Sequence, residues 1–170
     1  MHNMKTISGF APTSTVGAKV LILGSMPGIA SLERRQYYAH PRNVFWRIMA
    51  QLFDFDVNIS YESRLEKIDA EGIVLWDVLK NCQRPSSLDA DILASSVVPN
   101  DFSEFFAKCS SMRKIYFNGA KAEALFTQHV SRQFVSQLTD LQLSRLPSTS
   151  PAHASMGYEQ KLSCWRDIVA

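Results

Sequence analysis

Four short apolar runs, Val20–Leu23, Gly72–Leu79, Lys114–Phe117 and Leu141–Leu146, restrict this chain to few architectures. Each is bounded by glycine, proline, asparagine or charged residues and has the length of a buried strand. Between them lie segments with helical spacing. Asn43 to Phe53 sets Val44, Ile48 and Leu52 beside Phe45, Met49 and Phe53 on adjoining stripes. Tyr61 to Ala70 is charged, with Leu65 and Ile68 recurring. Asn100 to Cys109 carries Asp101 near its start and three phenylalanines, and Ala120 to Val130 follows the turn Asn118-Gly119. A last helix is predicted from Gly157 to Val169, with Leu162, Trp165 and Ile168 inward. Strands alternating with helices predict an α/β fold, a three-layer α/β/α sandwich around a central four-stranded parallel sheet. Residues 81–98, which include Arg84-Pro85-Ser86-Ser87, read as a long irregular connection over one end of the sheet, a kind of loop that often carries function.

With 170 residues, 46% of them apolar, the chain suits one domain spanning 1–170. The polar, Ser/Thr-rich stretch 1–17 is expected to be poorly ordered or peripheral. A formal charge of +2 does not announce nucleic acid, so any such partner needs a local basic face. Cys82, Cys109 and Cys164 lie far apart without a C-x-x-C pair. That argues against a zinc ribbon, an iron–sulfur cluster or a disulfide framework, and predicts buried free thiols in a reducing compartment. No apolar leader or bilayer-length run is present, so a soluble, cytoplasmic protein without a membrane partner is expected.

The chemistry concentrates after the first strand. Val20–Leu23 breaks into Gly24-Ser25-Met26-Pro27-Gly28, and a loop leads to Tyr37-Tyr38-Ala39-His40-Pro41-Arg42-Asn43-Val44-Phe45-Trp46. In an open α/β sheet, ligands bind at the carboxyl edge of the strands. The two tyrosines supply a flat stacking surface there, and His40, Arg42 and Asn43 supply donors and an acceptor for a planar polar group. Leu146-Pro147-Ser148-Thr149-Ser150-Pro151-Ala152-His153-Ala154 ends the last strand at the same edge, and its hydroxyls and amides suit a backbone phosphate. Other roles compete for these residues: the tyrosines could be core aromatics, His40 a structural histidine, and Asn43 a helix cap. Asp77 is either hydrogen-bonded at its strand end or helps shape the pocket, with the structural role favoured. Gly24–Gly28 lacks the Lys-Ser/Thr ending of a phosphate loop, and Ser25 is not centred as in a nucleophile elbow.

Together these segments resemble the uracil-DNA glycosylase superfamily. Gly24-Ser25-Met26-Pro27-Gly28 matches its first-motif turn, Tyr38–Trp46 resembles the Tyr-Ala-His-Pro-x-Asn-x-Phe-Trp run of the mismatch-specific branch, Ile115–Gly119 resembles the third strand and its turn, and Leu146–Ala154 the second motif. The combination is most similar to the hypoxanthine (deoxyinosine) DNA glycosylase branch. Two positions depart from the uracil-specific pattern: Met26 stands where relatives carry Asp or Asn to orient water, and Leu146 where many carry His. The resemblance therefore implies Asn43 as the catalytic group.

It implies further that the chain hydrolyses the N-glycosidic bond of a flipped deaminated base in double-stranded DNA, with hypoxanthine first and uracil or a mismatched base after it. Ser25, Met26, Tyr38 and His40 would bind the base. Arg42, Pro147, Ser148, Ser150, Ala152 and His153 would meet the DNA. No metal or cofactor is implied, and a monomer is expected. Three alternatives remain: a uracil or mismatch enzyme without hypoxanthine activity, a non-catalytic damaged-DNA-binding module, and a serine hydrolase using Ser25.

Overall fold

The computed structural model describes residues 4–170, apart from the side chains of Val135 and Gln137. In chain order the strands are β1 (Thr6–Ser8), β2 (Val20–Gly24), β3 (Ile73–Asp77), β4 (Leu79–Gln83), β5 (Val98–Pro99), β6 (Lys114–Asn118) and β7 (Gln142–Leu146). The helices are α1 (Ile29–Arg34), α2 (Phe45–Leu52), α3 (Tyr61–Ala70), α4 (Phe102–Lys108), α5 (Ala120–His129), α6 (Val135–Leu138) and α7 (Tyr158–Trp165). The central sheet is four-stranded and wholly parallel, in the order β3-β2-β6-β7. Its strand direction and count follow the sequence expectation.

Alternation along the strands divides the core into two layers. Leu21, Leu23, Val74, Trp76, Ile115 and Phe117 pack on one face with Phe102, Phe105 and Phe126 of α4 and α5. Ile22, Ile73, Leu75 and Tyr116 pack on the other with Phe45, Ile48, Ile68, Leu162 and Trp165 of α2, α3 and α7. The sandwich thus buries both faces of β2, β3 and β6, whereas the edge strand β7 is largely polar and exposed and buries only Leu146, so the run 141–146 is not the buried strand expected.

Three expectations need correction. The run Gly72–Leu79 is not one strand. It leaves the parallel sheet after Asp77, where Val78 N donates to Gly24 O and Leu79 N to Ser25 O. Leu79–Gln83 then pairs antiparallel with β1 and β5 in a second, three-stranded sheet. Part of the connection read as irregular is therefore strand. Instead of a loose N-terminal tail, residues 4–17 contribute β1 and are tied inward (residues 1–3 lie outside the described part). Trp76 Nε1 donates to Phe10 O at 3.0 Å, and Leu75 N donates to Thr13 Oγ1 at 3.0 Å. Cys82 and Cys109 are buried, but Cys164 on α7 is exposed. Among the described residues no helix is long and apolar enough to cross a membrane.

Candidate active site

The central strand β2 has neighbours on both sides, and the connections leaving it and its neighbours diverge at its carboxyl end. In doubly wound sheets such a switch point opens a crevice. Here it opens a cavity of about 630 Å³, within the range of small-molecule sites. Gly24, Asp77 and Asn118 form its floor, one from the end of each of three strands. Gly24 and Asp77 are direct partners in the sheet register. A methyl group on Gly24 would lie 2.4 Å from Asp77 Oδ1, so the carboxyl occupies the space of the missing side chain.

Asp77 is 4% exposed, and its Oδ2 has no hydrogen-bond partner. Burial, reinforced by the neighbouring Asp89, pushes its pKa up to about 7, against a smaller downward pull from Arg84. A carboxyl in this setting is about half protonated near neutrality and neutral below it, and in that neutral form it can donate as well as accept a hydrogen bond. Of the two roles open to Asp77 this is the pocket-shaping one, and the favoured reading as a satisfied strand-end group is corrected. The signal was present in the period-two alternation: Ile73, Leu75 and Asp77 share a face, as do Ile22 and Gly24, and Tyr116 and Asn118.

The adjacent tyrosines part company. Tyr37 is core: its Oη donates to Ala11 O at 2.8 Å, and its carbonyl accepts from Trp46 Nε1 at 2.9 Å. Tyr38 has φ 57°, left-handed backbone that costs a non-glycine residue energy and turns its side chain toward the cavity. Its ring stacks on Phe45 with centroids 4.0 Å apart and planes at 27°. Its buried hydroxyl makes no hydrogen bond and reaches over Gly24; burial, then the Asp77 charge, raises its pKa.

Asn43 lines the cavity while its Oδ1 accepts from Phe45 N at 2.9 Å. The side chain thus braces the first turn of α2, whose capping residue is Val44, and its amide NH2 has no partner among the described residues. Val44 N in turn donates to Thr149 O, and Asn118 clasps Thr149 through two bonds, Nδ2 to Oγ1 at 3.0 Å and Oδ1 from N at 2.9 Å. These contacts lock the start of α2, the end of β6 and the 147–153 loop together. Gly119, at φ 98°, leaves room for Ser148, whose Cβ is 3.0 Å from where a methyl would stand.

Ten of the eleven site residues expected from the sequence line this one cavity: Ser25, Met26, Tyr38, His40, Arg42, Asn43, Ser148, Ser150, Ala152 and His153. Pro147 does not; its carbonyl accepts from Trp165 Nε1 at 2.9 Å and anchors the loop from behind. Ser25 and Met26 are buried in the wall, and the Ser25 hydroxyl donates to Asp89 Oδ1 at 2.7 Å. A serine engaged with a carboxylate rather than a histidine is not an activated nucleophile, which removes support from the hydrolase alternative. His40 Nδ1 accepts from Arg42 N, which stiffens the loop, and His153 Nε2 is buried without a partner. Ser148 and Ser150 accept from the amides of Ser150 and Ala152 and keep their hydroxyl protons for another acceptor.

Neither Asp77 nor any residue of Ser87–Ala90 was among the expected site residues; that segment belongs to the connection 81–98, read as a loop of the kind that carries function, and it closes one side of the cavity. Its chemistry is carried by Asp89, whose pKa is raised by burial despite the Ser25 hydrogen bond and Arg84. Nothing in the sequence linked residues 87–90 to the first turn 60 positions earlier. Among the described residues there is no cluster of three acidic, histidine or cysteine side chains arranged to hold a metal ion.

Comparison with known proteins agrees with this arrangement. The family model of the uracil DNA glycosylase superfamily matches residues 11–169. Two curated relatives, each named hypoxanthine DNA glycosylase, come from Methanosarcina barkeri and Methanosarcina acetivorans. Both are 36% identical over 115 residues, covering 67% of this chain and 72% of theirs. A solution structure described as a candidate uracil DNA glycosylase of Methanosarcina acetivorans superposes with a TM-score of 0.75 at 28% identity, covering 98% of this chain and all of that one. With its parallel sheet, its cavity at the strand ends and this similarity along nearly its whole length, the chain belongs to the uracil DNA glycosylase superfamily and is a DNA glycosylase.

Proposed function

We propose that this glycosylase releases deaminated bases from double-stranded DNA, hypoxanthine foremost, and that the reaction takes place over the floor formed by Gly24, Asp77 and Asn118, with Tyr38 beside it. The observation that carries this reading is the buried Asp77 carboxyl, still partly protonated near pH 7, beside a stacked tyrosine in a cavity wide enough for one nucleobase. Hypoxanthine presents an N–H next to a C=O on one edge. A neutral carboxyl matches that edge with one donor and one acceptor. The names of the two curated relatives favour the same base. Uracil carries the same N–H/C=O pair, and the name of the solved structure favours it as a second substrate.

The target nucleotide leaves the stack, at least cost where it is mispaired. Its base stacks on Tyr38, with the backbone around Ser25 and Met26 and the ring of His40 at its edge. The N-glycosidic bond breaks with its electron pair passing to the base, water adds to the sugar carbon, and the proton that water loses ends on the departed base, which is released neutral. Asn43 holds that water through its free amide or remaining lone pair. Asp77, being neutral, adds no negative charge where the departing base becomes anionic. Arg42, the hydroxyls of Ser148 and Ser150, and the exposed Ala152 and half-buried His153 meet the DNA backbone and the mouth of the duplex. The protein works as a monomer.

The test is a panel of duplexes carrying hypoxanthine, uracil, xanthine or a G·T mismatch. Release of hypoxanthine is expected. Tight binding to abasic or mismatched DNA with no release of any base would overturn the catalytic reading in favour of a damage-binding module.

A further inference from the structure

Deamination changes the polarity of one edge of a base. Hypoxanthine and uracil offer a ring N–H beside a C=O, whereas adenine and cytosine offer a ring-nitrogen lone pair beside an NH2 group. A neutral carboxyl is ambivalent between the two, because its O–H and C=O meet either pair by turning over. Asp77 therefore recognises this kind of edge without rejecting the undamaged base. Strong rejection needs a polar group of fixed sense that the wrong base leaves unpaired.

Asp89 is such a group. It lines the same cavity, with its side chain 41% exposed. Its Oδ1 is engaged: Ser25 Oγ donates to it at 2.7 Å, and Arg84 Nη1 stands 3.7 Å away. Among the described residues nothing bonds its Oδ2. The Ser25 hydroxyl, Arg84 and Lys121 all oppose the burial that raises its pKa. Asp77 has only Arg84 in its favour, and the Asp89 charge pushes it the other way. Of these two neighbouring acids, Asp77 holds a proton the more firmly and Asp89 the charge. That charge is also fixed in place. The Arg84 side chain is wholly buried, its Nη2 donates to Pro27 O, and Nε and Nη1 lack hydrogen-bond partners. Such a cation is costly to bury without an anion, and Asp89 is the one within ion-pair distance. Ser87 Oγ accepts from Ile29 N at 2.9 Å and ties the segment to the turn after β2. Arg84 also offsets the repulsion that the carboxylate exerts on a departing base.

Resting on the glycosylase reading above, we propose that Asp89 is the residue that tells deaminated bases from adenine and cytosine. Its carboxylate accepts from the ring N–H of the flipped base, while the Asp77 O–H donates to the adjacent carbonyl. An undamaged base would set its ring lone pair against the carboxylate and its NH2 against the Asp77 O–H. Both contacts are repulsive, so the wrong base is rejected as actively as the right one is held.

The experiment measures duplex affinity for wild type, Asp89→Asn and Asp89→Ala, with one hypoxanthine or one adenine opposite cytosine. That nucleotide carries a 2′-fluoroarabino sugar, whose fluorine disfavours positive charge on the sugar and so suppresses cleavage. The cost of opening each pair cancels when the hypoxanthine-to-adenine affinity ratio is compared between proteins. Asp89→Asn keeps an oxygen for Ser25 and turns an NH2 into the cavity, a donor in place of the native acceptor. It should lower the ratio by about tenfold or more, with adenine bound more tightly than by wild type. Asp89→Ala should lower the ratio through loss of hypoxanthine affinity. An unchanged ratio in both variants, or equal losses on both duplexes as from a mere prop for the Ser25 wall, would overturn the proposal. Base release from the same duplexes with ordinary sugars separates this from failure of the glycosylase reading. If wild type releases no base yet shows the Asp89-dependent preference, the catalytic reading falls and the discriminating role stands. If wild type releases hypoxanthine and both variants keep its affinity ratio, the glycosylase reading stands and the role of Asp89 falls.

Discussion

At the floor of the cavity, Asp77 and the Tyr38 hydroxyl are closed off from water and poor in partners, and Gly24 is kept bare so that the carboxyl fits. At the rim, Ser148, Ser150 and His153 are half in solvent on a loop braced by Asn118, Trp165 and the start of α2. The floor holds few groups whose protonation and shape are set by burial. The rim holds many donors, each one replaceable. Chemistry that depends on protonation belongs where the dielectric is low, and affinity for a polyanion belongs where donors meet water and salt. Substitutions at the floor should therefore change rate and pH profile, and those at the rim should change binding and salt dependence.

The sharpest break in that contrast is expected from Asn43, between the two regions. Asn43→Ala should slow base release by about 10²–10³-fold, the scale of losing one preorganised polar group, while duplex binding stays close to wild type. Its stability to unfolding should fall only by the loss of a helix-end bond, about 1 kcal/mol. Release at the wild-type rate would reduce Asn43 to a brace for α2. Next comes Tyr38→Ala, expected to lose about 1–3 kcal/mol of stacking, measured as the drop in kcat/KM on duplex substrate.

Asp77→Asn tests the floor through pH. In the folded protein Asp77 keeps its proton up to about pH 7, whereas in the unfolded chain it loses it near its ordinary value of 3.8. The folded state thus binds the extra proton between those values, so this group's contribution to stability declines as pH rises from about 4 to 7 and is constant above. The full decline is roughly 4 kcal/mol at most, and Asp77→Asn should remove it, with the variant's advantage over wild type greatest above pH 7. Release by wild type should likewise fall as pH rises through 7, because the ionised carboxyl no longer donates and repels the departing base. The amide keeps a donor and an acceptor, so that limb should flatten in the variant. An unchanged limb in pH–rate profiles would take Asp77 out of the reaction. The smallest effect belongs to the rim: Arg42→Ala should weaken all duplexes by a similar few-fold and reduce the slope of log K against log salt by about 1, whatever base is present.

Much of the framework was legible in one dimension because it rests on local rules. Apolar runs of strand length announced the parallel sheet, and the Gly24–Gly28 turn and the Tyr38–Trp46 segment marked the edge where a ligand sits. What escaped was the break between β3 and β4. An unbroken apolar run gives no sign that Val78 and Leu79 will hydrogen-bond back to Gly24 and Ser25 and leave the sheet. The N-terminal strand escaped for a related reason, since a polar three-residue edge strand has no periodicity to display.

The sequence by itself determined which residue types reach the carboxyl edge, because strand length, turn chemistry and helix periodicity act between neighbours along the chain. Only the tertiary structure decided which of them became a site. The Tyr38 backbone turned left-handed and separated it from Tyr37. The register of Gly24 against Asp77 made a carboxyl the cavity floor, and Asp89 arrived from a segment remote in the chain. Burial and charge proximity are properties of the folded assembly, and they raise the pKa of a carboxyl that an open chain would leave ionised.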